Sequence, residues 1–398
     1  MSEHKKQENP VTPELKRTLT LTDLTLFGIA NIMGSGGFNL IGKGVRAGGS
    51  LWPIALLIPA VLLMGAAYSY AGAFERFKKD TSESDIVRSV FGPWAEGAGS
   101  SAILVYNLVS TIVILVFCSK MLLPAGSWVS QSSLTIGLLA SMTGLALAGI
   151  ELDTLMIDGM TCFLIAILVI AGFLALLGLT GTAIPTLSLP SHGGFMNSIW
   201  MFFFILIGFD AIMKFAEETK DPADVPRSFY LSNTVSIVLT IALAAAISIW
   251  VPNLSEKQEH NAIGWLFAAF TGPWIVEPFK WVILLFLLLT TFVTFLATTR
   301  YLYGLGNKAT WLAPLKEVNA AAAPWVSILS VFGSGSVLSL LNNTEILVKI
   351  TDLGFGVIAA LVASAVSVAD LGDGKIVSAA VNGATTAGFL GLLGSAFL

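Results

Sequence analysis

Phe27-Gly28-Ile29-Ala30-Asn31-Ile32-Met33-Gly34-Ser35-Gly36-Gly37-Phe38-Asn39 is the stretch on which the reading of this chain turns. It is apolar enough to be buried, yet it packs three glycines and a serine into four positions. Each glycine costs a helix about 1 kcal/mol relative to alanine. In lipid, irregular backbone is tolerated only where protein buries it or where it lines a watery cavity. The run therefore predicts an interrupted helix. Its rival reading is close helix packing, because small residues let transmembrane helices approach.

Around that stretch the composition excludes most alternatives. Of 398 residues, 55% are hydrophobic and 12% charged, against roughly 25% charged in soluble domains. The net charge of −4 leaves no basic footprint for nucleic acid. Cys118 and Cys162 both fall inside apolar blocks and read as buried thiols. Charge-free stretches run 24–42, 47–74, 97–119, 121–150, 159–209, 228–255, 281–299, 318–344, 353–369 and 376–398. A span needs about 20 apolar residues. The stretch 159–209 holds two, divided at the Thr-, Pro-, Ser- and Gly-rich segment 180–194. The expectation is an all-α polytopic membrane protein with about 11 spans. Sixteen polar residues precede the first span, so it does not read as a signal peptide.

Most lysines and arginines, including Lys5, Lys16, Arg76, Arg88, Arg227, Arg300 and Lys308, fall on the side of the N-terminus. The positive-inside rule makes that side cytoplasmic. The acceptor triplets Asn253-Leu254-Ser255 and Asn342-Asn343-Thr344 then lie outside. Loop 252–280 carries an apolar piece, Trp265 to Val276, broken by Gly272-Pro273, which reads as a surface helix. Loop 75–96 reads as a short amphipathic helix.

The sixth span is the second irregular one: Phe204-Ile205-Leu206-Ile207-Gly208-Phe209-Asp210-Ala211-Ile212-Met213-Lys214-Phe215-Ala216-Glu217-Glu218. Ionisable groups at membrane depth are costly and face a cavity or a partner. Asp210, Lys214 and Glu218, spaced i, i+4, i+8, predict one helical stripe in which each acid neutralises the lysine; a gating or coupling role is the functional reading. The bland one makes Glu217 and Glu218 the wet end of the helix. Breaks at the first and sixth spans suit an inverted repeat of five spans each, with a ligand held at mid-membrane between discontinuous helices. The amides of Ser35, Gly36 and Gly37 would then hold a carboxylate, and the carbonyls near Asn31 and Phe204 to Leu206 an ammonium group.

These residues carry a resemblance. Gly28-Ile29 through Gly34-Ser35-Gly36-Gly37-Phe38 resembles the first helix of the amino acid–polyamine–organocation superfamily. Gly208-Phe209-Asp210-Ala211, Ala216-Glu217-Glu218-Thr219-Lys220-Asp221-Pro222 and Val225-Pro226-Arg227 are similar to its sixth helix and following loop. Weaker likenesses lie at Val87 to Pro93, Arg300 to Gly304, Leu312-Ala313-Pro314 and Pro324-Trp325. The resemblance implies a LeuT-like five-plus-five inverted repeat with helices 1 and 6 broken. That gives a cytoplasmic tail at 1–20, repeats at 21–180 and 195–370, and an additional span at 371–398. It implies a plasma-membrane transporter of amino acids or related amines by alternating access, as a proton symporter or an exchanger. Carried over by position, Asn31, Ile32, Gly34, Ser35, Gly36, Gly37, Phe204, Ile205 and Gly208 would contact substrate.

The chain departs from the superfamily pattern in several places. The usual proline and paired glycines before helix 3 are replaced by residues 80–85, and eleven spans stand where twelve are usual. Some members couple protons through a helix 5 lysine, and residues 160–171 contain none. Lys214 is a substitute, or the protein is an exchanger. Thr290, Thr291, Thr294, Thr298 and Thr299 form a rival sodium site, with backbone hydrogen bonding as their plainer role, so H+ is preferred to Na+. A polyamine transporter, a channel and a non-transporting sensor are the alternatives. No motif calls for a cofactor, a metal or an oligomeric state. Ser35 lacks the Gly-x-Ser-Gly setting of an intramembrane protease, and Gly42-Lys43-Gly44-Val45-Arg46-Ala47 follows a span rather than a strand. The chain does not read as an enzyme.

Overall fold

Thr20 and Asp23 open the first helix with a reciprocal cap. The Asp23 amide donates to the Thr20 hydroxyl at 3.4 Å and the Thr20 amide to the Asp23 carboxylate at 2.8 Å. Two of the orphan donors at the helix start are satisfied in this way. From that cap α1 runs Leu21–Gly48. The structure is a computed structural model that describes residues 19–77, 82–124, 126–150, 159, 161–163, 165–167, 169–170, 172–173, 188–251, 255, 258–306, 308 and 310–396, without the side chains of 35–38, 214, 217 and 260.

The remaining helices are α2 Trp52–Phe77, α3 Glu83–Phe91, α4 Pro93–Leu122, α5 Trp128–Leu147, α6 His192–Leu206, α7 Asp224–Trp250, α8 Ala262–Thr271, α9 Val276–Leu305, α10 Trp325–Ser339, α11 Thr344–Gly372 and α12 Ile376–Ser395. Ten of the expected spans correspond to helices among these, and the fifth lies at 159–173, where the described residues are also helical. Among the described residues, seven segments are long and apolar enough to cross a bilayer. The protein is an all-α, multi-pass integral membrane protein. α10 is shorter than its charge-free stretch: it begins after Pro324 and ends before Asn342, whose φ of +42° breaks the helix. The amphipathic α3 lies where the sequence places it, whereas α8 covers only part of the expected piece Trp265 to Val276: it starts at Ala262, with its first turn buried, and stops at Gly272.

The outer faces of the helices are apolar without a protein partner. Ile54, Leu57 and Val61, on one side of α2, are 52%, 57% and 63% exposed. Spacing of i, i+3 and i+7 makes a continuous stripe, and for such a stripe lipid is the solvent. Cys118 is buried as expected, whereas Cys162 is exposed on its helix. The expectation treated an apolar block as an interior one, but in a bilayer the apolar side also faces outward.

One expectation about the backbone is overturned. α1 is helical through Gly34-Ser35-Gly36-Gly37. The glycines of this helix serve close approach. A Cβ at Gly28 would lie 2.7 Å from Ser232 Cβ on α7, and one at Gly34 2.7 Å from Thr290 Cγ2 on α9. Packing on several neighbours outweighs a propensity loss of about 1 kcal/mol per glycine.

α1 and α6 pack antiparallel. The Ser198 hydroxyl donates to the Gly44 carbonyl at 2.7 Å, and Asn31 meets Gly208 further along. At the end where α1 begins, a single parallel bridge ties Leu19 to Thr219. The Leu19 amide donates to the Glu218 carbonyl at 3.0 Å, and the Lys220 amide to the Leu19 carbonyl at 2.9 Å.

Candidate functional site: the break in helix 6

α6 stops at Leu206. Ile207 is extended (φ −79°, ψ 159°) and Gly208 adopts φ +122°, a region closed to residues with a Cβ. The carbonyls of Phe204, Ile205 and Leu206 thereby lose the donors a continuing helix supplies. The break nests on α1. The Asn31 side-chain amide donates to the Gly208 carbonyl at 2.8 Å, and a Cβ on Gly208 would lie 3.1 Å from the Asn31 carbonyl oxygen.

The chain continues as a ten-residue 3-10 helix, Phe209–Glu218, longer than such helices usually run. At three residues per turn, positions four apart are separated by about 120° rather than stacked. The expected stripe of Asp210, Lys214 and Glu218 therefore does not form, because the period of the segment changes after the break. Asp210 is buried and accepts a hydrogen bond from the Tyr106 hydroxyl at 3.2 Å. Lys214 lies in the 3-10 segment with its side chain outside the described atoms. Glu218 ends the segment, and its carbonyl holds Leu19.

Of the other expected residues, Ile32, Phe204 and Ile205 are fully buried. Gly34 is buried against Thr290. Ser35, Gly36 and Gly37 lie within the continuous α1, so their amides are not exposed at a helix start there. All five threonine hydroxyls of α9 donate to backbone carbonyls one turn earlier, for example Thr290 to Phe286 at 3.0 Å and Thr298 to Thr294 at 2.7 Å. Their plain structural role is the one observed.

An aromatic cluster surrounds the break. Phe209 contacts Tyr70, Phe229 and Phe355 edge-on, with ring centroids 5.3, 6.0 and 5.9 Å apart, and Phe355 also meets Phe203 at 6.0 Å and Tyr106 at 5.4 Å. Several polar atoms buried within the bundle have no hydrogen-bond partner among the described residues: both amide atoms of Asn39, the Tyr70 hydroxyl, the Ser236 hydroxyl and both oxygens of Asp352. Buried polar groups are rarely left unpaired.

Sequence reading missed Tyr70, Tyr106 and Asp352. Asp352 carried a signal, as a charge beside a long apolar run, but counting charge-free stretches assigned it to a loop. It lies eight residues inside α11, about 12 Å along the axis, and is fully buried.

Ion pairs join elements at both ends of the bundle. At the end where α1 begins, Lys308 bridges Asp85 at 3.0 Å and Glu96 at 2.7 Å, Arg88 pairs with Glu96 at 2.8 Å, and Arg76 holds Asp370 at 3.2 Å and Asp373. Burial pushes the Asp85 carboxyl up, but hydrogen bonds from Ser82 and Lys308 outweigh it and hold the group below its ordinary range. Burial likewise pulls the Lys308 ammonium down, and bonding to Glu96 and Asp85 holds it above its ordinary value. At the far end of α1, Lys43 and Arg46 both reach Glu259, at 3.4 and 3.3 Å.

The structure is that of a polytopic helical membrane protein with an interrupted helix nested against a second one. Its relatives are named as permeases and transporters. Over 270 residues the chain is 27% identical to the branched-chain amino acid permease BcaP of Bacillus subtilis (strain 168), covering 60% of this chain and 56% of that protein. It is 23% identical over 273 residues to an uncharacterized transporter of Mycobacterium tuberculosis (strain ATCC 25618 / H37Rv), covering 64% and 60%. It is 26% identical over 185 residues to the chloroplastic cationic amino acid transporter 7 of Arabidopsis thaliana, covering 44% and 30%. No protein-family model matches the chain. The chain is similar to amino acid permeases, in keeping with its resemblance to the amino acid–polyamine–organocation superfamily, and these relatives bear the names of transporters and permeases rather than enzymes.

Proposed function

We propose that the protein is a secondary active transporter of amino acids or related amines, working by alternating access between two inverted repeats at 21–180 and 195–370. The observation that carries this reading is the break at Ile207-Gly208 held against Asn31 inside the bundle. The substrate ammonium group meets the freed carbonyls of Phe204 to Leu206 and the polar edge of Asn31. Its carboxylate meets α1 at Ser35 to Gly37, where glycine makes the helix easiest to open. A zwitterion is bound there without a charged side chain. In this reading the N-terminus is cytoplasmic, the membrane is the plasma membrane, and the ion pairs at the two ends act as alternating closures.

Substrate-dependent thermal stabilisation of the purified protein, with unlabelled amino acids and polyamines compared in one series, tests the reading. Stabilisation by a group of amino acids that is lost in Gly36→Leu, in a variant that still reaches the membrane, is the expected result. Unchanged stabilisation of that variant removes Gly36 from the site, and stabilisation by polyamines alone transfers the substrate class to them.

A further inference from the structure

One turn of α11 from the aromatic cluster at the break lies a carboxylate that no part of the substrate site uses. Asp352 is fully buried within α11, and neither of its oxygens accepts a hydrogen bond among the described residues. Phe355, three residues on, lies on the same face of the helix and contacts Phe203, Phe209 and Tyr106 around the break. Tyr106, which Phe355 touches, also interacts electrostatically with Asp352 and in turn donates to Asp210.

Among the described residues, the elements packed on α11 offer it no cation at this level. Tyr106 comes from α4, Glu83 from α3 and Tyr70 from α2, Asp210 stands behind Tyr106, and α12 contributes no ionisable residue. Lys349, one turn earlier on α11, lines a pocket with Lys43 and Glu345 nearer the helix start and forms no ion pair with Asp352 among the described residues, while Lys308 holds Asp85 and Glu96, and Arg76 holds Asp370 and Asp373. An ionised carboxylate without a partner is among the costliest groups to hold in a bilayer. A carboxylic acid is not.

We propose that Asp352 is the proton-binding group of the transport cycle: its carboxylate takes up one proton where water reaches it and gives that proton up on the other side. This rests on the transport reading above. The sealed, unpartnered geometry corresponds to the protonated, neutral side chain. Its deprotonation requires α11 to part from α4 and admit water, which couples the proton to the movement around Gly208. Net uptake needs that release on every turnover, whereas exchange of one substrate for another does not. The coupling group is then on α11, not at Lys214 or in the fifth span.

The test uses the full-length protein in liposomes loaded with a pH-sensitive dye, with L-leucine and L-lysine as probes. In the unmodified protein, adding the transported probe acidifies the lumen, and preloaded vesicles show counterflow. Asp352→Asn is expected to lose acidification while retaining counterflow, and Asp352→Glu to recover acidification. Acidification that persists in Asp352→Asn overturns the inference and leaves the transport reading standing. Uptake that requires sodium and loses that requirement in Asp352→Asn also overturns it, making the residue a sodium ligand. Absence of counterflow in the unmodified protein with both probes overturns the transport reading and the inference together. Should Asp352→Asn fail to fold, infrared titration of the unmodified protein and Asp352→Glu decides. A protonated-carboxyl band at neutral pH that shifts in the glutamate variant supports the assignment, and an unshifted band or none contradicts it.

Discussion

At the scale of single residues, Gly208 and Asn31 hold the break together. With φ at +122° and a backbone oxygen 3.1 Å from where a Cβ would stand, Gly208→Ala is expected to lose about 1–3 kcal/mol of stability from backbone strain. Asn31→Ala removes the shorter of the two hydrogen bonds to the Gly208 carbonyl, leaving the Ala211 amide at 3.4 Å, and should cost about 1 kcal/mol. Thermal melting in detergent measures both. The double variant should cost less than the sum of the two, because the residues share one contact. Full additivity would mean that the hydrogen bond does not hold the break in place. Gly208 and Asn31 were both legible in the sequence, since glycine and asparagine are conspicuous in apolar spans. Asp352 was not, because one charge at the margin of an apolar run looks the same whether the helix ends there or began eight residues earlier.

At the scale of elements, the glycine run of α1 and the break in α6 separate two readings that sequence alone left joined. Both spans carried glycine, and only one is interrupted. The difference lies in the neighbours. Gly28 and Gly34 are pressed against Ser232 and Thr290, so their missing side chains make room for α7 and α9. Gly208 instead has a conformation that only glycine takes easily. Substituting alanine therefore has opposite expectations under the two roles. If Gly28 and Gly34 only weakened the helix, alanine would stabilise it by about 1 kcal/mol. Because they mediate packing, each change to alanine is expected to destabilise, by about 1–3 kcal/mol from overpacking. A higher melting temperature for Gly34→Ala would contradict the packing account. The 3-10 segment Phe209–Glu218 is the other element the sequence did not reveal. Its residues alternate in a way that suits an α-helix, and the tighter winding follows from the turn at Gly208 and the tie between Glu218 and Leu19.

At the scale of the whole molecule, charge is confined to the ends and to a few buried acids. The cluster of Lys308, Asp85 and Glu96 joins α3 and α4 to the segment after α9. Asp85 is held below its ordinary range, so its contribution is present above that range and is lost as pH falls through the lowered value. Lys308 is held above its ordinary value, so its contribution is present below that value and is lost only as pH rises through the raised one. Between about pH 5 and pH 9 Asp85 and Lys308 keep their charges. Stability of Lys308→Ala relative to the unmodified protein should accordingly be flat across that window. A pH dependence of uptake within it then does not come from Asp85 or Lys308, and the inference above assigns it to Asp352. The spans, the helical class and the helix-6 irregularity were all legible in apolar runs, because a bilayer enforces them. Contacts between spans distant in sequence, such as Phe355 against Tyr106, were not.

The central claim, that the interrupted bundle is a carrier, is tested most directly by counterflow. Liposomes containing the purified protein are preloaded with unlabelled L-leucine or L-lysine and diluted into a trace of the same labelled amino acid. A carrier gives a transient overshoot of label that saturates with concentration. Label that only equilibrates, with flux proportional to concentration, would contradict it.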